Sequence, residues 1–290
     1  MIDPTASRLG FGVSGPLGQF WFNEAGTRGL IAQALAGGVT HFDTAGFYFD
    51  AEQRLGDALA GSAAFVSTKT GTRRQGGRLI KDFSEAAIRA DVEQSCGGLS
   101  RDRLDLLYLH GPSIDQIDAA LSILHSLKRE GRVRAIGVCG EGAPLAHSVS
   151  AGVDAIMGAY NVLDRRHEAI FAEAKRAGVM TVAVAPLAQG LFDPRFNSPR
   201  TLSDLWRLAR AHFRGRYAKA QINAAIEALG AADPAGAALG FVLANPDIDI
   251  VMTTTTKPAH LSAALAARPL TGPRLEALRA LPLDPDAARS

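Results

Sequence analysis

The chain has 290 residues, of which 47% are hydrophobic and 21% charged, and its formal net charge is +2 at pH 7. This composition is typical of a globular protein, and the small net charge excludes the strongly basic surface that nucleic-acid binding needs. No apolar run has the length of a membrane span, and residues 1–8 lack the apolar core of a signal peptide. We therefore expect a cytoplasmic protein whose partners are small molecules, with no nucleic acid and no membrane among them.

Eight apolar segments rich in β-branched residues alternate with helix-like segments along the chain. The predicted strands are residues 8–13, 39–45, 64–69, 104–110, 133–139, 153–160, 179–186 and 248–255. This alternation predicts an α/β fold, the (β/α)8 TIM barrel, which we expect to be a single domain over residues 1–290. A doubly wound sheet is the alternative, but its glycine-rich turn would have to be Gly10-Phe-Gly12-Val-Ser-Gly15, and no helix follows that segment directly.

Local signals mark several helix starts and one long insertion. Ser84, Ser113 with Gln116, and Asp233 before a proline are typical N-terminal caps. The insertion, residues 192–229, separates the seventh and eighth predicted strands and is too long for an ordinary loop. We expect an extra helical insertion there, either a lid over the pocket or a solvated basic helix. Its central residues are Trp206, Arg207, Arg210, Arg214 and Arg216.

Four polar residues lie at or just after the ends of predicted strands: Asp43, Tyr48, Lys69 and His110. The carboxyl ends of parallel strands meet on one face of a barrel, so these side chains are expected to share one pocket. A Lys ammonium lowers the pKa of a nearby Tyr, an Asp keeps the Lys charged, and a His donates a hydrogen bond to a carbonyl oxygen that gains negative charge. The sequence therefore predicts a proton-transfer site.

The other histidines and the two cysteines are not expected to react. His41 lies on the same strand face as Asp43 and is predicted to be a hydrogen-bonded barrel histidine. His125, His147, His167 and His212 fall in helical or loop segments and are predicted to lie on the surface. Cys96 falls on an apolar helix face and Cys139 at a strand end, so no disulfide is expected.

The segment around Asp43 resembles the signature of the aldo-keto reductases. It reads Asp43-Thr-Ala-Gly-Phe-Tyr48-Phe-Asp-Ala-Glu52-Gln-Arg-Leu55-Gly56, where the family has Asp-Thr-Ala before its catalytic Tyr and Glu-x-x-Leu-Gly after it. Further segments match in order: Gly131-Arg-Val-Arg-Ala-Ile-Gly137-Val, Tyr160-Asn-Val-Leu-Asp-Arg165 and Ala185-Pro-Leu-Ala-Gln-Gly190. The resemblance covers nearly the whole chain.

The resemblance implies interconversion of an aldehyde or ketone with an alcohol by hydride transfer from NADP(H). Tyr48 would be the general acid and base, Lys69 would lower its pKa, and Asp43 would anchor Lys69. His110 would orient the carbonyl oxygen of the substrate. No metal ion is implied.

The cofactor of the resembling family lies across the barrel mouth, between the loops after the seventh and eighth strands. In this chain the second loop offers hydroxyls, an ammonium and an imidazole at the start of a helix, where a phosphate is favoured, and this predicts NADP(H) rather than NAD(H). The expected cofactor-binding residues are Cys139, Met157, Leu187, Gln189, Gly190, Thr254, Thr255, Thr256, Lys257 and His260.

Several polar contacts of the family are missing from this chain. Cys139-Gly140 stands where the family commonly has Ser-Asn, and Met157 stands at the position of a Gln. Val184 replaces the aromatic residue that stacks on the nicotinamide, and Ala263-Ala264 replaces a Glu-Asn pair near the adenine. Each lost hydrogen bond is typically worth about 0.5–1.5 kcal/mol, so weaker cofactor binding is expected unless other groups substitute.

Aromatic residues near the predicted strand ends indicate a wall for the substrate. Phe20, Trp21 and Phe22 are consecutive in the loop after the first strand, and Phe47 and Phe49 flank Tyr48. A small-molecule carbonyl substrate with apolar character is therefore expected, with Trp21, Phe47 and Phe49 as its binding residues.

Two rival functions remain open from the sequence. A non-catalytic nucleotide-sensing or regulatory protein on the same barrel would tolerate the weakened nicotinamide contacts. A metal-dependent hydrolase would use His41, Asp43 and His110, although no His-x-His pair accompanies them.

Overall fold

A computed structural model of the protein describes residues 7–192, 217, 219–230 and 232–282, without the side chain of Gln189. The strands are β1 (Leu9–Gly12), β2 (His41–Asp43), β3 (Phe65–Thr70), β4 (Thr72–Gln75), β5 (Arg78–Lys81), β6 (Leu104–His110), β7 (Val133–Cys139), β8 (Ala155–Ala159), β9 (Met180–Val184) and β10 (Ile250–Thr253). Eight of them close into a barrel in the order β1-β2-β3-β6-β7-β8-β9-β10. The predicted barrel and each of its eight predicted strands are confirmed.

Helices surround this barrel. Within the described residues they are α1 (Glu24–Ala36), α2 (Ala51–Ala58), α3 (Glu85–Leu99), α4 (Ile114–Arg129), α5 (Gly142–Ser150), α6 (Glu168–Arg176), α7 (Lys219–Leu229), α8 (Pro234–Leu243), α9 (Pro258–Ala266) and α10 (Pro273–Arg279). The predicted caps are confirmed: Ser84 caps α3, Asp233 caps α8, and Ser113 with Gln116 forms a capping box on α4.

Side chains on each barrel strand alternate between the interior and the surrounding helices, because successive residues of a strand face opposite sides. On β6, Leu106 and Tyr108 belong to the apolar cluster inside the barrel, whereas Leu107 and Leu109 belong to the larger cluster between strands and helices. The same alternation places His110 on the inner side, at the carboxyl end of the strand.

The glycines of β1 serve packing inside the barrel. A Cβ on Gly12 would lie 2.6 Å from Thr254 Oγ1, and a Cβ on Gly10 would overlap the side chain of Met252. A short 3-10 helix, Gly15–Gly18, follows β1, and α1 begins only after a further loop. This glycine pattern is therefore not the turn of a doubly wound sheet.

A two-stranded hairpin of β4 and β5, which the sequence analysis does not predict, follows β3 directly. Its strands are antiparallel, and Thr72 pairs with Lys81, Arg73 with Ile80, and Gln75 with Arg78. Since β3 ends at the carboxyl face of the barrel, the hairpin lies beside the barrel mouth.

His167, predicted to lie on the surface, is fully buried. Its Nδ1 lies 3.0 Å from the carbonyl oxygen of Ala159, and its Nε2 accepts the N–H of Gly142 at 3.0 Å. Burial lowers the pKa of His167, so the neutral ring joins the end of β8 to the start of α5. The surface prediction is wrong because a polar loop segment carries no sign of the tertiary contacts that bury it.

The described end of the predicted insertion is α7, whose Ala225 and Leu229 are buried. Trp206 and the four arginines of the insertion lie outside the described residues, as does His212. In the part of the chain that the structure describes, no single helix is long and apolar enough to cross a membrane. Helices α7 and α8 reach that length and apolarity only as a pair, bent by 89°.

Candidate active site

Asp43 and Lys69 form a buried ion pair at the mouth of the barrel. Lys69 Nζ donates to Asp43 Oδ2 at 2.5 Å and to the carbonyl oxygen of Thr44 at 2.7 Å. Burial by itself lowers the pKa of Lys69, but the charge of Asp43, its hydrogen bond to the ammonium and the nearby Tyr48 and Cys139 together outweigh this effect, and the net pKa lies above the ordinary value. The lysine is therefore held charged although only 5% of its surface is exposed.

Ser67 and His41 extend this pair toward the barrel interior. Ser67 Oγ donates to Asp43 Oδ1 at 2.8 Å and lies 3.2 Å from His41 Nε2. Burial, together with the charge of Lys69, lowers the pKa of His41 to about 3, so the ring is neutral. The predicted barrel histidine is confirmed. Ser67 is a partner that the sequence analysis missed, because its role depends on the register that pairs it with Asp43.

Tyr48 lies above this ion pair, with Lys69 Nζ 5.6 Å from the centroid of its ring. Burial raises the pKa of Tyr48; the charge of Lys69 opposes this rise, and Asp43 and Cys139 add to it. The lowering expected from Lys69 is therefore present, but in the protein without a ligand it is smaller than the opposing effect of burial. Desolvation of the phenolate outweighs the attraction of the ammonium, so the phenol is protonated at neutral pH.

His110 completes the group of four predicted polar residues. Phe47 lies between His110 and Tyr48, with ring centroids 5.1 Å from His110 and 4.4 Å from Tyr48. Burial, with the charges of Lys69 and Lys81, lowers the pKa of His110 to about 3. The imidazole is therefore neutral, and its Nδ1 has no hydrogen-bond partner among the described residues.

The second half of the Asp43 motif has a packing role. Glu52 is 5% exposed and accepts a hydrogen bond of 2.6 Å from Thr68 Oγ1, which ties α2 to β3. Burial raises the pKa of Glu52. A Cβ on Gly56 would lie 2.7 Å from the carbonyl oxygen of Gly98, so this glycine permits α2 and α3 to approach closely. These contacts hold the loop that carries Tyr48 from the side of α2.

The first two expected cofactor positions lie beside each other on β7 and β8. Cys139 pairs in register with Met157, which is 1% exposed within the interior cluster. Burial raises the pKa of the Cys139 thiol to about 11, although Lys69 opposes this rise. Val184 at the end of β9 packs against the same cluster. This part of the mouth is therefore apolar.

The loop after β9 has an unusual backbone. Ala185 and Ala188 have φ angles of 56° and 45°, in the left-handed region that alanine seldom adopts, and Gly190 has a φ of 92°. Asn161 Nδ2 donates to the carbonyl oxygen of Ala185 at 3.2 Å. Such strain often accompanies a binding loop. The loop includes Leu187, which is half-buried, and the backbone of Gln189.

The loop after β10 presents hydroxyls and a cation at the start of α9. Thr254 Oγ1 donates to the carbonyl oxygen of Gly12 at 3.0 Å, and Thr255 Oγ1 accepts the N–H of Lys257 at 3.2 Å. Thr256 is half-buried, whereas Lys257 and His260 are exposed. The first N–H groups of a helix have no partners within the helix, so this loop has the chemistry of a phosphate site.

The residues expected to bind the substrate differ in their exposure and contacts. Phe47 packs between Tyr48 and His110, and Phe49 is 44% exposed with Arg74 over its ring. Trp21 is 62% exposed in the loop after β1. Phe22, by contrast, is half-buried and packs against the core.

A metal site is disfavoured by the contacts of Asp43. One carboxylate oxygen accepts from Lys69 and the other from Ser67, so both are engaged by donors. Among the described residues, no group of three or more His, Cys, Asp or Glu side chains is arranged to hold a metal ion.

Comparisons with known proteins agree with this fold. Aldo-keto reductase YhdN of Bacillus subtilis is 26% identical over 89% of this chain and 84% of its own, and pyridoxine 4-dehydrogenase of Escherichia coli is 27% identical over 92% and 91%. The holo form of the aldo-keto reductase AKR11C1 from Bacillus halodurans superposes with a TM-score of 0.80 at 27% identity, over 98% of this chain and 96% of its own. The sequence model of the protein family described as "Aldo/keto reductase family" matches residues 8–281. The protein therefore belongs to that family of oxidoreductases.

Proposed function

We propose that the chain, acting as a single domain, is an NADPH-dependent reductase that interconverts a small aldehyde or ketone with its alcohol, with Tyr48 as general acid and base. The observation that carries this proposal is the buried Asp43–Lys69 pair beneath a protonated Tyr48. A buried ion pair contributes little net stability against an apolar replacement, so its presence calls for another reason. Control of a proton on Tyr48 supplies that reason.

The residues present fit a bound nicotinamide nucleotide. Lys257, Thr255 and the position of this loop at the start of α9 suit a ribose phosphate, and this favours NADPH over NADH. Among the described residues, no atom lies within 4 Å of the position that a Cβ on Gly190 would take, so this part of the loop after β9 leaves open space for a backbone approach. When bound, the cofactor supplies the hydride.

Side chains of the protein would donate the proton and stabilise the charges that form. Tyr48 O–H would donate to the substrate oxygen as negative charge develops there, and the ammonium of Lys69 would stabilise the phenolate that results. Asp43, held by Ser67 and Lys69, fixes the position of that ammonium. His110 is neutral and would donate an N–H to the same oxygen, since its ring cannot serve as an acid near pH 7.

A regulatory role on the same barrel is the second candidate. It is favoured by one observation: Met157 and Val184 offer no hydrogen bond or aromatic face to the nicotinamide. Both functions need nucleotide binding, but only the enzyme needs the buried proton-transfer group. Turnover therefore separates them.

The test combines binding with turnover. The purified protein is titrated with NADPH and NADH by calorimetry, and the loss of nicotinamide absorbance is then followed with benzaldehyde present. The proposal expects tighter binding of NADPH than of NADH and steady oxidation of NADPH that depends on the aldehyde. Binding of NADPH without any turnover of a panel of aldehydes and ketones would favour the regulatory role.

A further inference from the structure

The hairpin of β4 and β5 has one face that borders the candidate site. Thr72 Oγ1 donates to the carbonyl oxygen of His110 at 3.2 Å, and the ammonium of Lys81 contacts both that oxygen and Thr72 Oγ1. Arg74 Nε donates to the carbonyl oxygen of Phe47 at 3.2 Å. The hairpin is thus attached to the two segments that carry His110 and the neighbour of Tyr48.

Alternation along the hairpin separates its cations between two faces. Residues that pair across two antiparallel strands share a face, and so do residues two apart on one strand. Thr72, Arg74, Leu79 and Lys81 therefore form one face, which we call the mouth face. Arg73, Gln75, Arg78 and Ile80 form the opposite face.

The two faces differ in how their charges are balanced. On the opposite face, Arg73 pairs with Asp91 of α3 at 2.8 Å, while Arg78 has no carboxylate within 4.0 Å among the described residues. On the mouth face, neither Arg74 nor Lys81 has a carboxylate within 4.0 Å among the described residues. The guanidinium of Arg74 lies 4.3 Å from the ring centroid of Phe49. Two cations without anionic partners among the described residues therefore lie beside the apolar surface of Phe47, Phe49 and Leu79.

The charge of Lys81 acts on the site itself. It contributes to the low pKa of His110, and burial lowers the pKa of Lys81. An ammonium that has lost part of its hydration gains more from an added anion than a fully solvated one does.

We propose that the mouth face of the hairpin binds a carboxylate carried by the substrate, through Arg74 and Lys81. The substrate class is then an aldehyde or ketone with an apolar body and a carboxylate beyond it, so that the carbonyl reaches Tyr48 and His110 while the carboxylate reaches the hairpin. This inference rests on the proposed reductase function and names its substrate class.

The test uses a pair of substrates that differ in one charge, para-formylbenzoate and its methyl ester. In the wild type, kcat/KM for the acid is expected to exceed that for the ester by about tenfold, and added salt should reduce this ratio. Lys81→Met and Arg74→Gln should each lower the ratio by about three- to tenfold, and Lys81→Arg should retain most of it.

Arg78→Gln is the matched control, because it removes the same charge from the opposite face of the same hairpin. It should leave the acid-to-ester ratio unchanged. A ratio near one in the wild type, or an equal fall in the ratio for Arg78→Gln and Lys81→Met, would overturn the inference.

A binding measurement keeps the inference separate from the reductase proposal. Benzoate and benzamide are titrated into the protein with NADPH present, by calorimetry. The carboxylate site predicts that benzoate binds more tightly than benzamide, and that benzoate binding weakens in Lys81→Met but not in Arg78→Gln. This result would support the carboxylate site even if the protein reduces no aldehyde. In that case only the proposed reductase function would fail. Benzoate binding that is the same in both variants contradicts the carboxylate site.

Discussion

Ser67 Oγ lies 2.8 Å from Asp43 Oδ1, on the opposite side of the carboxylate from Lys69. Asp43 is thus held from two directions, by a hydroxyl on β3 and by an ammonium two residues farther along the same strand. Since Ser67 also contacts His41, a line of polar groups runs from the barrel interior to the ammonium beneath Tyr48. We infer that Ser67 positions Asp43 and, through it, Lys69.

Replacement of Ser67 by alanine should lower kcat several-fold without changing the affinity for NADPH. A buried acceptor left without its donor costs about 1–3 kcal/mol, so the free energy of unfolding should also fall. Ser148→Ala is the control, because the buried Ser148 hydroxyl donates to Leu145 within α5. It should change stability but not kcat. An unchanged kcat in Ser67→Ala would mean that Lys69 is positioned without it.

His41 should make the fold sensitive to acid. The pKa of His41 is about 3 in the folded protein, whereas its ordinary value is 6.5. Between these two pH values His41 is protonated in the unfolded chain and neutral in the folded protein. His41 therefore does not reduce the free energy of unfolding above pH 6.5. As the pH decreases from 6.5 toward 3, it lowers the free energy of unfolding by up to about 1.4 kcal/mol per pH unit.

Urea unfolding of wild type and His41→Gln between about pH 7 and about pH 4 measures this contribution. The variant should lose less stability with acid than the wild type does. His125→Gln, at an exposed histidine of α4, should follow the wild type. Parallel curves for wild type and His41→Gln would show that His41 takes up its proton in the folded state as well.

Lys257 should distinguish the two nicotinamide cofactors. A cation beside a phosphate favours the dianion and does little for a hydroxyl, so Lys257→Ala should weaken NADPH binding by about tenfold and NADH binding far less. Lys175→Ala, at an exposed lysine paired with Asp249, serves as the control for loss of one positive charge. Equal losses of affinity for both cofactors in Lys257→Ala would place the ribose phosphate elsewhere.

Trp21 should contribute apolar contact to the substrate. With 62% of its surface exposed in the loop after β1, it has area that a ligand can bury. Trp21→Ala should lower kcat/KM for an apolar aldehyde about fivefold while leaving NADPH affinity unchanged. Phe20→Ala, at a residue that is 83% exposed in the same loop, tests the neighbouring position. Unchanged kinetics for Trp21→Ala on every carbonyl would exclude it from the substrate wall.

The barrel and the positions of the four polar residues could be predicted because they depend on local patterns. A strand buried on both faces is a continuous apolar run, as in residues 106–109, and a polar residue that ends such a run, here His110, lies at the barrel mouth. The register between neighbouring strands is set by tertiary packing. The partnership of Ser67 with Asp43 could therefore not be read from the sequence.

The hairpin and His167 were missed for related reasons. Residues 72–81 are mostly polar, with two glycines at the turn, and in an isolated sequence they resemble a loop. Their pairing depends on anchors elsewhere, such as the bond from Thr70 to Asp91 of α3. His167 likewise is buried through contacts with Ala159 and Gly142. These contacts depend on tertiary packing, which local sequence patterns do not report.

The central claim is that Tyr48 carries the proton, and Tyr48→Phe tests it most directly. The variant keeps the ring beside Phe47 and removes only the hydroxyl. The account predicts that NADPH binds with nearly wild-type affinity while the rate of aldehyde-dependent NADPH oxidation falls by about a hundredfold or more. A Tyr48→Phe variant that retains most of the wild-type rate would contradict the account.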